Sequence, residues 1–177
     1  MTKTQRNLFM VALILGVAYI LLLPFKPYPY SWLLKPLPML IYAVLLFQAF
    51  PGWVGRFLAI GLVGAAAGDF YLDYGDRDGL FRQALLSFLV NQIAFTVAFV
   101  LLARKHIWHW PRAVPALLYG VILAFWILPL AGNLQIAVTL YLISLVLMAV
   151  MAARVEPTFG CLWIGSLLFV IWIFWDK

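Results

Sequence analysis

Seven long apolar runs divide this chain, and each is close to the roughly 20 residues that an α-helix needs to cross a bilayer. Only 10% of residues are charged, whereas soluble domains have about 25%, and the mean hydropathy is +1.05. The runs are too long and too continuous for barrel strands. We therefore predict an all-α, polytopic membrane helical bundle with about seven transmembrane helices, forming a single integral-membrane domain over residues 1–177. The predicted spans are residues 8–24, 32–50, 53–74, 84–103, 113–130, 134–153 and 159–175.

The basic residues indicate orientation rather than nucleic-acid binding. The net charge is +6, but Lys and Arg lie mainly between the apolar runs, where an excess marks the cytoplasmic side. With the N-terminus inside, seven basic residues are cytoplasmic and five are on the other side: Lys3, Arg6, Arg56, Arg104, Lys105, Arg112 and Arg154 against Lys26, Lys35, Arg77, Arg82 and Lys177. We expect a cytoplasmic N-terminus, a bacterial plasma membrane and no nucleic-acid partner.

The stretch "GAAAGDFYLDYGDRDG", residues 64–79, ends the third span with an acid inside the apolar run. Gly64 and Gly68 form a G-x-x-x-G step, which lets a second helix approach closely. Asp69 follows directly. A charged group inside a span costs about 3 kcal/mol or more, so it usually faces the bundle interior and has a function.

A second acid, Asp73, follows Asp69 after four residues. On a continuous helix the two side chains share one face, about 5–6 Å apart. Two carboxylates so close can differ in protonation, one donating and the other accepting a proton, as acid–base catalysis requires. Alternatively, Asp73 is the first residue of a solvated acidic loop.

Lys35 lies about one turn into the second span, in "WLLKPLPML". It can pair with Asp69, bind a lipid phosphate, or extend to the interface along its own alkyl stem. Pro36 and Pro38 leave backbone carbonyls without donors and predict a kink or a late helix start.

Further polar side chains interrupt the apolar pattern. Asn91 and Gln92, in the middle of the fourth span, can hydrogen-bond between helices or orient a substrate hydroxyl. His106 and His109 lie in a basic interfacial loop with too few ligands for zinc. No metal site is predicted.

Four short motifs follow one another along the chain. Their residues are Lys35-Pro36 in the second span, Gly68-Asp69 with Leu72 in the third, the spaced series Phe81, Ala84, Leu85, Phe88, Gln92 and Phe95 in the fourth, and Tyr141 with Met148 in the sixth. Their joint order, over about residues 30–150, resembles the YhhN-like family of transmembrane lysoplasmalogenases. The family's fourth-span pattern is F-x-x-G-L-x-x-F-x-x-x-H-x-x-Y; the spacing holds here, while its Gly, His and Tyr are replaced.

The chain departs from the family pattern in its last part. The family carries a Ser-Asp motif in its seventh span and has eight spans. Here Trp172 and Ile173 stand where Ser-Asp would be, and the eighth span has no counterpart in the 177 residues. If that Asp is essential in the family, this chain would be a catalytically disabled member.

The resemblance implies a hydrolase that cleaves the vinyl-ether bond of lysoplasmalogens, giving a fatty aldehyde and a glycerophospho-alcohol. The expected partners are a lysophospholipid substrate and membrane lipid, with no cofactor and no predicted oligomeric state. The candidate residues are Asp69 and Asp73 for catalysis and Lys35, Asn91, Gln92 and Tyr141 for substrate binding. The alternative is a small-solute or proton-coupled transporter in which Asp69 and Lys35 line the path.

Overall fold

The apolar runs form helices in the computed structural model, which describes residues 2–26, 30–74, 79–103 and 110–155. Every regular element in these ranges is helical. In chain order the α-helices are α1 (Lys3–Leu22), α2 (Ser31–Leu34), α3 (Leu37–Ala49), α4 (Trp53–Tyr74), α5 (Phe81–Leu102), α6 (Trp110–Ile127) and α7 (Gln135–Ala152). Short 3₁₀ turns occupy Leu23–Phe25, Leu128–Leu130 and Gly132–Leu134.

Six segments of the described ranges are long and apolar enough to cross a membrane: Lys3–Phe25, Ser31–Ala49, Trp53–Tyr74, Phe81–Leu102, Ala113–Leu130 and Gly132–Ala152. They match the first six predicted spans to within a few residues. The protein is therefore an all-α membrane protein, as predicted. The predicted seventh span, with Trp172 and Ile173, lies outside the described residues, as does the loop that contains His106 and His109.

The helix ends follow local sequence signals. The Thr2 hydroxyl accepts from the Gln5 amide at 3.2 Å and the Gln5 side chain accepts from the Thr2 amide at 2.9 Å, a capping box that satisfies two N-terminal donors. The second span is interrupted where its prolines predict: α2 ends at Leu34, and α3 begins at Leu37 behind Pro36. Lys35 therefore lies at a break between two helices.

Contacts along the chain divide it into two units, Met1–Ala94 and Phe95–Lys177. In the first unit, α3 packs against α1 and α4, and α2 packs against α4. The Gln5 side chain, at the start of α1, donates to Gln48 near the end of α3 at 3.3 Å, so these helices run antiparallel. In the second unit α6 packs against α7. The single domain over 1–177 stays a prediction.

Two glycines of α4 allow α5 to come close, as the G-x-x-x-G step predicts. A Cβ atom at Gly64 would lie 3.0 Å from the carbonyl oxygen of Ser87 and 3.1 Å from the amide nitrogen of Asn91. At Gly68 it would lie 2.8 Å from the ring of Phe88. A side chain at Gly64 would collide with the backbone of α5, which cannot move aside. The close packing of α4 against α5 just before Asp69 therefore requires glycine at this position.

Candidate functional site

An ion pair joins the break in the second span to the end of α4. The Lys35 Nζ lies 3.1 Å from Asp69 Oδ1, and the two side chains are only 18% and 15% exposed. The break after Leu34 aims Lys35 at α4 from a fixed backbone position. Of the three roles that the sequence leaves open for Lys35, this contact corresponds to pairing with Asp69.

A second ion pair lies one helical turn further along α4. Lys26 Nζ donates to both carboxylate oxygens of Asp73, at 2.8 and 3.0 Å, and to the hydroxyl of Tyr19 at 3.0 Å. Burial lowers the pKa of Lys26, but the hydrogen bonds to Asp73 and Tyr19 outweigh it, so this pKa lies above its ordinary 10.5. Lys26 is thus held as an ammonium ion.

The two pairs form one cluster, which we call the lysine–aspartate cluster: Lys26, Lys35, Asp69 and Asp73, with Tyr19 beside Lys26. Asp69 and Asp73 face the same side of α4, as their spacing predicts. Asp73 belongs to α4 and its side chain is 10% exposed, so the alternative of a solvated loop is wrong for this residue. Each carboxylate has an ammonium partner of its own.

Aromatic rings cover the same end of α4. The rings of Phe70 and Tyr74 stack with centroids 5.0 Å apart, and Trp32 of α2 meets both edge-on, at 5.6 and 5.2 Å. Such edge-to-face pairs add to apolar burial, and Trp and Tyr prefer the membrane–water interface. The cluster therefore lies beside a group of aromatic rings of the kind that favours the membrane–water interface.

The other predicted binding residues lie on α5 and α7. Asn91 and Gln92 are buried on α5, 5% and 1% exposed, and the Asn91 backbone lies against Gly64. The Asn91 Oδ1 is buried without a hydrogen-bond donor among the described residues. Tyr141 lies on α7 in the second unit, where its carbonyl accepts from the Ser144 hydroxyl at 2.8 Å. Binding roles for these three stay predictions.

Sequence reasoning missed two members of the cluster. In the sequence, Lys26 serves only to predict the orientation of the protein in the membrane. Tyr19 is treated only as part of the first apolar span. One local signal exists: Lys26 stands between Pro24 and Pro27 directly after a span, where a lone cation is placed at the interface. Its partner is 47 residues away, which no local pattern reveals.

The cluster combines two chemical capacities. Two ammonium groups on neighbouring chain segments suit a phosphate, which accepts several charge-assisted hydrogen bonds. Two carboxylates one turn apart suit proton donation and acceptance.

Comparison with known proteins finds one relationship. Residues 30–171, about four fifths of the chain, match the model of a family described as the YhhN family. The matched range includes Lys35, Asp69 and Asp73 but begins after Tyr19 and Lys26. No curated protein and no solved structure matches the chain.

Proposed function

The chain belongs to the YhhN family, and from that premise we propose that it is a membrane hydrolase that cleaves the vinyl-ether bond of lysoplasmalogen-type lysophospholipids. The observation that supports this proposal is the pair of carboxylates on one face of α4, each in contact with its own lysine. The substrate enters from the bilayer, which we propose to be a bacterial plasma membrane with the protein's N-terminus in the cytoplasm.

The substrate phosphate competes with Asp69 for Lys35. The phosphodiester carries one negative charge, as the carboxylate does, and its two non-bridging oxygens accept charge-assisted hydrogen bonds from the ammonium group of Lys35. Asp69, now without its cation in an apolar surrounding, takes up a proton. Substrate binding thus converts the ion pair into a neutral acid beside the scissile bond.

Hydrolysis proceeds by proton transfer to carbon. Asp69 protonates the vinyl carbon that is not bonded to the ether oxygen. The ether oxygen stabilises the resulting oxocarbenium ion. Asp73 accepts a proton from a water molecule as its oxygen attacks the cation. The hemiacetal formed collapses to a fatty aldehyde and the glycerophospho-alcohol, so that one water is consumed and no oxidant is needed.

We also propose Asn91, Gln92 and Tyr141 as substrate-binding residues. The buried Asn91 Oδ1 offers an acceptor for the free hydroxyl of a lysolipid. Gln92 and Tyr141 orient the remaining polar groups of the substrate.

The test is aldehyde release from a lysoplasmalogen by the full chain purified in detergent, beside Asp69→Asn. The matched substrate control is an alkyl-ether lysolipid, which has the same phosphate but no vinyl group. We expect aldehyde from the vinyl ether alone, and its release should be at least about 10²-fold slower with Asp69→Asn.

A second variant, Trp172→Ser with Ile173→Asp, addresses the family's Ser-Asp motif. Activity that appears only in this variant would identify the chain as a disabled hydrolase. No aldehyde from any of the three proteins would refute the hydrolase proposal.

Proton-coupled transport is the second candidate, favoured by the hydrogen bonds that link Tyr19, Lys26 and Asp73 across two helices. Such groups can pass protons along a path inside a membrane. Proton flux into proteoliposomes that is abolished by Asp69→Asn, without aldehyde release, would favour transport over hydrolysis.

A further inference from the structure

A groove of about 550 Å³ follows α4 on the side away from the lysine–aspartate cluster. Its lining includes Arg56, Ile60, Val63 and Ala67 of α4, with Phe47 of α3 and Val90 of α5 on its flanks. The α4 residues recur at helical spacing and so form one stripe. Asp69, two residues beyond Ala67, points to the other side of the helix. The groove is therefore separate from the lysine–aspartate cluster.

The groove has one charged end. Arg56 lies in the first turn of α4, and its guanidinium stacks 4.8 Å above the ring of Trp53. It makes no ion pair with any residue in the described ranges. The remaining lining is apolar apart from Ser87, whose hydroxyl donates to the carbonyl of Gln83 at 2.9 Å. A ligand for this groove carries an anionic group at one end and an apolar chain behind it.

The length of the groove matches one leaflet. From Arg56 to Ala67 the helix rises about 16 Å, close to half of a hydrocarbon core of about 30 Å. Trp53 and Arg56 are residue types that favour the membrane interface. The lysine–aspartate cluster lies at the opposite end of the same helix, so the groove opens to the other leaflet.

We propose that this groove is a binding site for an anionic phospholipid, with the phosphate on Arg56 and one acyl chain between α3 and α5. The site goes beyond the proposed hydrolase activity, because its ligand lies in the opposite leaflet and is not consumed. Its single guanidinium prefers a headgroup with net negative charge over one whose own cation offsets the phosphate.

The experiment measures binding of phosphatidylglycerol to the detergent-purified full chain, by native mass spectrometry and by the rise in melting temperature. Arg56→Gln removes the phosphate contact, and Ala67→Phe fills the deep end of the groove. The matched controls are Arg6→Gln, the same charge change on exposed α1, and Val121→Phe, the same ring on exposed α6.

We expect Arg56→Gln to weaken phosphatidylglycerol binding about tenfold, as loss of a charge-assisted hydrogen bond does. Ala67→Phe should weaken the binding of phosphatidylglycerol and phosphatidylcholine alike, while both controls bind as the unchanged protein does. Asp69→Asn should also leave this binding unchanged.

Three results would overturn the proposal. Equal affinity for phosphatidylglycerol in Arg56→Gln and Arg6→Gln would show that Arg56 holds no headgroup. Equal stabilisation by inorganic phosphate would indicate an anion site without a lipid. A complex with the mass of two chains and no lipid, lost in Ala67→Phe, would show that a second copy covers the groove.

Discussion

The two ion pairs on α4 are one turn apart but are built differently. Lys26 makes three polar contacts, two with Asp73 and one with Tyr19. Lys35 makes its close contact with Asp69, at 3.1 Å, and interacts with Tyr19 and Asp73 by electrostatics alone. Both carboxylates are at least 85% buried. The difference indicates that Lys26 fixes α1 to α4, and we propose that Lys35 is the cation that a substrate phosphate captures.

The largest effect should come from replacing Asp69, the carboxylate that loses its lysine partner when the substrate binds in the proposed mechanism. Asp69→Asn removes the proposed acid and should lower kcat for vinyl-ether hydrolysis by about 10²–10⁴-fold. Asp73→Asn keeps the proposed acid and removes only the base that accepts a proton from water, so the decrease in kcat should be smaller. Steady-state aldehyde release measures both, and a larger loss in Asp73→Asn would reverse the assignment of roles.

Removing the firmly bound lysine should affect stability most. Lys26→Met leaves Asp73 buried without its closest cation, which costs about 1–3 kcal/mol because the Lys26 side chain is 30% exposed and the pair is only partly buried. Unfolding in mixed micelles measures the free energy, and adding Asp73→Leu to Lys26→Met should restore most of it. No coupling in this double-mutant cycle would show that the Lys26 pair does not fix the two helices.

Removing Lys35 should affect binding more than stability. Lys35→Met should raise KM for the lysolipid about tenfold, the effect of one lost charge-assisted hydrogen bond. Its unfolding free energy should fall by less than that of Lys26→Met, because Asp69 can take up a proton. If Lys35→Met destabilises more and leaves KM unchanged, the comparison between the two pairs is wrong.

The smallest effect concerns pH. Because the pKa of Lys26 is raised above 10.5 on folding, its stabilising contribution is complete below pH 10.5 and is lost as the pH rises through the higher folded value. The melting temperatures of the protein and of Lys26→Met should therefore converge in strongly alkaline buffer. If the difference between the two melting temperatures stays constant in alkaline buffer, the contacts of Lys26 do not depend on its charge.

The fold and three of the five residues of the cluster can be predicted from the sequence for identifiable reasons. Hydropathy and prolines locate the first six spans because backbone groups in lipid must be paired within a helix. The spacing of Asp69 and Asp73 gives their common face, and Lys35 is weighed as a partner. The contacts of Lys26 with Tyr19 and Asp73 depend on how α1 packs in the bundle, which periodicity does not encode.

The most direct test of the central claim is an infrared difference spectrum of the carboxyl groups on binding of a non-hydrolysable alkyl-ether lysolipid. We predict that a protonated carboxyl band appears on binding, persists in Asp73→Asn and is absent in Asp69→Asn. If no such band appears, or if it disappears with Asp73→Asn instead, the phosphate does not release Asp69 as an acid.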